Sequence, residues 1–459
     1  MGVKDIIPLA GVSGAGRKMM EKAIRGVDGP WPVLQAALDF IDLERALRLA
    51  GEAVAGGADW LEAGTPLIKA EGLEAVRRLR AAFPDRTIVA DLKTMDAGRT
   101  EFEAAANAGA NVAVVLAAAS DSTIGQCVEA GRKYGQRVCC DTIGIAAERL
   151  GARVAEAVRL GVDIIGVHVP IDDQMRGGDP LARVKAARAE TDLPLAAAGG
   201  VTSETAPSLV EAGADIVIVG GALHKAEDAS RAARDIRLAL DSGKPRAAGL
   251  GKKIGPSGIR DALLQVSTSN LSDAMHHRPC LAGPVSRTPG LRIAGQAQTV
   301  RSAPGDWNKV VQAIDQTQPG GILVADTGGV PPAVFGELAA QSAINRKLGG
   351  VVIHGGIRDA DVSTKLGLPI FATLICSHAG EPKGFGEIGA ELVIDGRPVR
   401  PGDWIFGDDD GVMVLPREAA LEYANRALDV AESERRLAAE IRSGRTLSEL
   451  ANLKKWEKR

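Results

Sequence analysis

The segment Ile88-Val-Ala-Asp91-Leu-Lys93-Thr-Met-Asp96-Ala-Gly98 carries an apolar run straight into two carboxylates and a lysine, spaced D-x-K-x-x-D. Side chains alternate along a strand, so Asp91 and Lys93 are expected on one face, with Asp96 returning over them from the following turn. Two carboxylates around one ammonium can hold a cation or orient a proton donor. The same spacing also occurs in a solvated loop after a strand, so the elements that carry it must decide.

Those elements repeat. The junctions Gly57-Ala-Asp59, Gly109-Ala-Asn111, Gly161-Val-Asp163 and Gly213-Ala-Asp215 begin at positions 57, 109, 161 and 213, each 52 residues after the last. Between them lie the apolar runs Thr87–Ala90, Arg137–Cys140 and Pro194–Ala198, and Val33–Leu38 stands at the front. Amphipathic stretches of helix length, such as Leu43–Ala55 and Glu204–Ala212, follow the strands. Eight βα units in about 210 residues predict an α/β fold, a closed (β/α)8 TIM barrel over 31–240. Chemistry in such barrels sits at the carboxyl ends of the strands. There the chain keeps Asp39, Glu62, Asp91 with Lys93, Asp141, His168 and the pairs Gly199-Gly200 and Gly220-Gly221.

Composition narrows the function classes. A formal charge of −3 over 459 residues gives no reason to expect nucleic acid or an anionic membrane surface. Cys127, Cys139, Cys140, Cys280 and Cys376 form no C-x-x-C pair and lie mostly in apolar runs, so they are expected as reduced, buried thiols without disulfides. No run approaches the roughly 20 apolar residues of a membrane span, and the start of the chain lacks a signal-peptide core, so a cytoplasmic protein is expected. Gly11-Val-Ser-Gly-Ala-Gly16-Arg-Lys18 looks like a phosphate loop, but Arg17 replaces the lysine and no strand precedes it. Residues 1–30 therefore read as a flexible extension.

After Leu240 a Gly, Pro and Lys-rich stretch reads as a linker over 241–265. A second domain over 266–416 has strand-like runs at Leu291–Val300, Gly321–Ala325, Gly350–Ile353, Ile370–Cys376 and Trp404–Leu415. Residues 417–459, with Trp456 near the end, read as a charged, solvated helical tail. His276-His277 and Asp408-Asp-Asp410 carry metal-type side chains, but the first pair is expected in a helix and the second group in a turn, both with structural roles.

From about Trp31 to Leu240 the chain resembles the orotidine-monophosphate-decarboxylase superfamily, most closely its 3-hexulose-6-phosphate synthases. The resemblance rests on Leu34-Gln-Ala-Ala-Leu-Asp39, Glu62-Ala-Gly-Thr-Pro-Leu-Ile-Lys-Ala-Glu-Gly72, Ala90-Asp-Leu-Lys-Thr-Met-Asp-Ala-Gly98 and His168-Val-Pro-Ile-Asp-Asp-Gln174. It implies a reversible aldol addition of formaldehyde to the enediolate of ribulose 5-phosphate, with Mg2+ or Mn2+. A hard cation held by carboxylates is a direct way to stabilise charge on two adjacent oxygens. By resemblance Glu62 and Asp91 are the metal ligands, and Lys93 donates to the enediolate oxygens. Asp96 keeps Lys93 charged and oriented, Asp39 binds a substrate hydroxyl, and His168 is the acid/base. Gly199, Gly200, Gly220 and Gly221 offer backbone amides to the phosphate, although some relatives carry an arginine where Gly221 stands.

In this superfamily the second aspartate of the motif commonly reaches across a dimer interface, which implies a homodimer with shared sites. A separate hexulose-phosphate isomerase is the expected pathway partner. The nearest alternative is a 3-keto-L-gulonate 6-phosphate decarboxylase, which shares the D-x-K-x-x-D frame but has an arginine where this chain has Ile171. Pro170 also departs from the glycine usual at its position.

The second domain resembles the RraA-like family, which contains both binding regulators and divalent-metal 4-hydroxy-4-methyl-2-oxoglutarate aldolases and implies an α/β swivelling fold. The carrying residues are Ser269-Asn-Leu-Ser-Asp273-Ala, Phe335-Gly-Glu-Leu-Ala339, Gly349-Gly-Val-Val-Ile-His-Gly-Gly-Ile-Arg358-Asp359 and Gly407-Asp-Asp-Asp-Gly411-Val. As an enzyme it would pair Arg358 with a keto-acid carboxylate, hold magnesium through water on Asp359, and bind the pyruvyl end with amides from Gly336 to Leu338. The aldolases carry an acid three positions after that aspartate; here it is Val362, with Asp361 one place early. As a binding module the domain would regulate another protein or serve oligomerisation.

Overall fold

The computed structural model describes residues 31–251, 253–451 and 453. The phosphate-loop-like segment, the rest of the extension before Trp31, and Trp456 lie outside them. Two compact units emerge. One takes the described residues up to Gln174, Gly178–Lys253 and those from Arg435 on; the other takes Met175–Gly177 and Ile254–Glu434.

The first unit is a closed barrel of eight parallel strands in sequence order. They are β1 (Val33–Leu38), β2 (Trp60–Ala63), β3 (Thr87–Thr94), β4 (Val112–Leu116), β5 (Arg137–Asp141), β6 (Ile164–His168), β7 (Leu195–Ala198) and β8 (Ile216–Val219). Alternation sorts each strand into two rows. Leu34, Leu38, Leu61, Ile88, Ile165 and Val217 belong to the large core shared with the helices. Val33, Trp60, Val89, Cys139, Ile164 and Ile216 form a second, smaller cluster of the opposite parity. Followed two residues at a time, this second row ends in Glu62, Asp91, Asp141 and His168. An apolar plug thus runs up into a ring of charge.

The 52-residue repeat has a physical cause. At each junction the Asp or Asn accepts a hydrogen bond from the first or second residue of the preceding odd-numbered strand: Leu34 N to Asp59 at 2.8 Å, Ile88 N to Asn111 at 2.8 Å, Val138 N to Asp163 at 2.8 Å, and Leu195 N to Asp215 at 3.0 Å. Its own amide donates back to the same residue's carbonyl in all four cases. The glycine two places earlier has φ between 89° and 112°, a region that disfavours other residues. At each of these glycines an arginine side chain stands where a Cβ would go: Arg237, Arg80, Arg132 and Arg188 in turn. Arg237 and Arg188 also pair with Asp59 and Asp215, at 3.1 and 2.7 Å.

The second unit is built on a mixed sheet of order β19-β18-β10-β11-β13-β14-β9, with β12 added to β13 and β15 to β10. Its strands are β9 (Val285–Ser286), β10 (Ile293–Ser302), β11 (Ile322–Asp326), β12 (Ala333–Phe335), β13 (Gly350–Ile357), β14 (Ile370–Ile375), β15 (Gly386–Ile388), β18 (Trp404–Asp408) and β19 (Gly411–Leu415). β16 (Leu392–Ile394) and β17 (Arg397–Val399) form a separate hairpin. β10, β11, β13 and β14 run parallel. Leu323, Val351 and Ile353 pack on one face of the sheet, and Ile322, Val324 and Val352 on the other.

Several expectations need correction. The run Trp404–Leu415 is a hairpin, β18 to β19, not one strand. Asp408 accepts from Thr268 N and Oγ1, and Asp409 from Gly290 N, which gives both carboxylates structural work. His276 and His277 lie beyond the helix Thr268–Ala274, both at positive φ, so they form its exit turn and not its body. All five cysteines are free, but Cys280 and Cys376 are only partly buried. The helix of the charged tail, Ala420–Arg442, is not simply solvated: Ala420, Ala424, Asn425, Ala427, Glu432 and Arg436 are buried. No helix among the described residues is long and apolar enough to cross a membrane.

Of the four junction carboxylates and amides, Asp215 is wholly buried and faces Arg188, whereas Asp163 is exposed. Asp215→Ala is expected to cost roughly 2–3 kcal/mol in denaturant unfolding, because it removes a wholly buried carboxylate that accepts from Arg188 and leaves the buried Leu195 amide without that acceptor. Asp163→Ala is expected to cost about 1 kcal/mol, one lost hydrogen bond.

Candidate active site

The strand ends of the barrel bring Asp39, Glu62, Asp91, Lys93, Asp141 and His168 together. Lys93 does not reach Asp91 by simple alternation. Between Ala90 and Thr94 the pairing with β4 slips, since Ala90 faces Ala113 and Thr94 faces Val115, and Lys93 sits at φ 48°. This bulge turns the side chain inward. Its ammonium lies 3.0 Å from Asp91 Oδ2 and 3.0 Å from Asp141 Oδ2.

The expected role of Asp96 in orienting Lys93 is not seen within one chain. Asp96 is exposed, and its carboxylate accepts from Ala97 N at 2.7 Å. Asp141 holds Lys93 instead. It was visible in the sequence as a polar strand end but carried no role there. The same Oδ2 faces His168 Nδ1 at 3.4 Å, and Oδ1 accepts from Ile143 N at 2.9 Å. His168 is thereby oriented through Nδ1, which leaves Nε2 for a substrate.

Supporting residues fix the carboxylates. Thr65, in the Glu62-Ala-Gly-Thr-Pro motif, donates its hydroxyl to the Asp91 carbonyl at 2.9 Å and carboxylate at 2.8 Å. Gln35 donates to Glu62. A Cβ at Gly64 would displace the carboxylate of Asp39, so glycine there leaves that side chain its place. Gly199 and Gly200 follow β7 with φ of 113° and 65°, and Gly220-Gly221 follows β8. All four stand at the same end of the barrel as the charged cluster.

Charge in this cluster is unevenly shared. Burial, then Asp91, then Asp39 push the Glu62 carboxyl well above the usual range. Asp39, though at the exposed mouth, is raised by lost hydration and by Asp91. Burial also pushes Asp141 up, but the hydrogen bond from His168 and the charge of Lys93 outweigh it and hold the group at about 2. Lys93 is raised despite burial, by Asp141 and then Asp91. A divalent cation at Glu62 and Asp91 would relieve their repulsion. Among the described residues no group of three or more His, Cys, Asp or Glu stands ready for a metal. Magnesium commonly takes one or two carboxylates and completes its shell with water and substrate oxygens, so the pair fits it.

In the second unit the sequence-predicted residues also meet. Glu337 N donates to Asp359 Oδ2 at 3.2 Å, and Arg358 Nε lies 3.4 Å from the same oxygen. A Cβ at Gly336 would come within 2.8 Å of Asp359 and 2.9 Å of Arg358. Leu338, at the start of the helix Glu337–Asn345, is 78% exposed, so only its backbone is placed to serve a ligand there. Val362 and Asp361 lie in the first turn of the helix Ala360–Leu366.

The low position of Asp141 fixes a pH effect. Its carboxyl falls from an ordinary 3.8 to about 2, so its contribution of about 2 kcal/mol is complete above pH ~4 and is lost as the pH drops through 2. Urea midpoints measured from pH 5 to 2 should fall more steeply for the wild-type chain than for Asp141→Asn.

The barrel matches the model of the orotidine 5'-phosphate decarboxylase/HUMPS family over residues 32–236, and residues 268–414 match the RraA-like (Aldolase/RraA) model. The 3-hexulose-6-phosphate synthase of Mycobacterium gastri is 41% identical over 207 residues, 45% of this chain and 99% of that protein. That of Methylomonas aminofaciens is 40% identical over 203 residues, 44% of this chain and 96% of that protein. A solved structure of 3-keto-L-gulonate-6-phosphate decarboxylase from Vibrio cholerae is 28% identical, with 47% of this chain and all of that chain covered and a TM-score of 0.43. The chain thus belongs to the orotidine 5'-phosphate decarboxylase/HUMPS family, with a barrel of the aldehyde-lyase kind, and carries an RraA-like domain after it.

Proposed function

We propose that the barrel catalyses the reversible aldol addition of formaldehyde to D-ribulose 5-phosphate, giving 3-hexulose 6-phosphate. The observation that carries this reading is the half-buried ammonium of Lys93, held by Asp91 and Asp141 beside Glu62 and His168. Removing a proton from carbon 1 of the sugar leaves negative charge on two neighbouring oxygens. Lys93 is placed to donate to them, and His168 Nε2 to take the proton. The electron pair at carbon 1 then attacks the formaldehyde carbon, and the new alkoxide takes a proton. Glu62 and Asp91 would hold magnesium, which supplies further positive charge to the same oxygens. Glycine amides after β7 and β8 would bind the phosphate, the remote handle that so small a partner as formaldehyde cannot provide.

Ile171 favours addition over the decarboxylase alternative. A decarboxylase must deliver a proton to the carbanion carbon, whereas an aldolase gains from withholding it until formaldehyde arrives. The side chain three places after His168 is aliphatic and 53% exposed, and can donate nothing. Asp96, with the exposed Met95 beside it, is free to meet a second copy of the chain, which supports a homodimer with shared sites. A separate isomerase would act on the product.

In the test, purified protein is given ribulose 5-phosphate, formaldehyde and magnesium. Formaldehyde consumption should require the metal and fall at least ~100-fold in Asp91→Asn and His168→Ala. Carbon dioxide release from 3-keto-gulonate 6-phosphate, without formaldehyde consumption, would overturn the reading.

For the RraA-like domain the arrangement of Gly336, Arg358 and Asp359 supports a lyase acting on a 4-hydroxy-2-oxo acid, with Arg358 on its carboxylate. Magnesium-dependent pyruvate release should vanish in Arg358→Ala. If the wild-type chain releases none, the domain is a binding or oligomerisation module.

A further inference from the structure

Arg436 lies on the helix Ala420–Arg442, in the portion from Arg435 on that clusters with the barrel. Its side chain is only 8% exposed. One terminal nitrogen, Nη1, donates to the carbonyl of Ala226 at 2.7 Å and to that of Leu223 at 3.3 Å. The other, Nη2, lies 3.2 Å from Glu52 Oε2, and Nε donates to Glu440 Oε1 at 3.2 Å. Glu440 in turn receives Arg445 at 2.5 Å. Every nitrogen of the guanidinium is therefore engaged in a fixed fork, an arrangement that an ammonium cannot reproduce.

The carbonyls it grips belong to the turn that follows β8. That turn begins at Gly220-Gly221 and continues through Gly221–His224. On its other side His224 Nε2 donates to the Ala37 carbonyl at 2.6 Å, and the His224 ring packs 4.6 Å from that of Phe40. Burial pushes His224 down to about 4, so it is a neutral, fixed donor at neutral pH. A Cβ at Gly220 would stand 3.3 Å from Asp39 Oδ2. The turn after β8 is thus tied to the end of β1, which carries Asp39, and to the tail. Arg436 lies far outside residues 32–236, so this support comes from a part of the chain beyond the family's barrel.

We propose that Arg436 is a positioning residue for the phosphate subsite: by gripping the turn after β8 and Glu52, it fixes the Gly220 and Gly221 amides where the substrate phosphate binds. The inference rests on the reading that these glycines take the phosphate. A residue that acts this way changes binding of the remote handle and leaves the chemical step alone.

The test uses full-length Arg436→Ala and Arg436→Lys, with steady-state formaldehyde consumption and calorimetric binding of inorganic phosphate. Arg436→Ala should raise KM for ribulose 5-phosphate and weaken phosphate binding by about tenfold, with kcat within about twofold. Arg436→Lys should restore neither, since it cannot span both carbonyls and Glu52. A folded Arg436→Ala protein with unchanged KM and phosphate affinity would overturn the proposal, as would an equal fall in kcat without a change in KM. Should Arg436→Ala fail to fold, Glu52→Gln replaces it; a smaller shift of the same kind, about threefold, supports the proposal, and no shift overturns it. If the wild-type chain consumes no formaldehyde yet phosphate binding still depends on Arg436, the synthase reading fails and this one stands.

Discussion

The site depends on one ammonium. Lys93 is half-buried at the carboxyl end of β3, where lost hydration alone would favour its neutral form, and Asp141 and Asp91 keep it charged. Asp141 is held low by the same contacts while it orients His168. Remove the lysine and three carboxylates, Glu62, Asp91 and Asp141, would share a buried space without a counter-charge. The geometry thus places an ammonium, an imidazole and a pair of carboxylates around one small volume. Positive charge fixed in advance around that volume suits an enediolate, whose charge appears only during reaction.

Holding such a cluster requires a rigid frame, and the repeated junctions provide it. Each joins an odd-numbered strand to the start of the next through paired hydrogen bonds, at the end of the barrel opposite the site. The apolar row inside the barrel excludes water below the charges. This division follows the general plan of such barrels, with stability at the amino ends of the strands and chemistry at the carboxyl ends.

The frame was legible in the sequence because its cause is local and repeated: a glycine at positive φ, then an Asp or Asn whose side chain caps a strand. The polar strand ends were legible for the same reason. What the sequence could not display were contacts that pairing creates. The bulge that turns Lys93 inward depends on how β3 slips against β4. The partnership of Lys93 with Asp141 joins residues 48 apart in the chain, and no spacing rule signals it. Asp96, adjacent in the motif, was the obvious partner and is not the one used within a chain. The tail misled for a different reason: its charged pattern resembles a solvated helix, yet Arg436 is buried because its donors meet backbone carbonyls, which carry no sequence signature. In the second unit the residues Gly336, Arg358 and Asp359 were found by motif, and the structure brings them together at the start of one helix.

A charge cluster that stabilises an enediolate should release the carbon-1 proton of the sugar even without formaldehyde, and proton exchange reads this step alone. Ribulose 5-phosphate incubated with the protein and magnesium in D2O should gain deuterium at carbon 1, and Lys93→Ala should abolish the exchange. A wild-type protein that consumes formaldehyde but exchanges no proton in its absence, or a Lys93→Ala variant that exchanges at the wild-type rate, would mean that the cluster does not stabilise an enediolate.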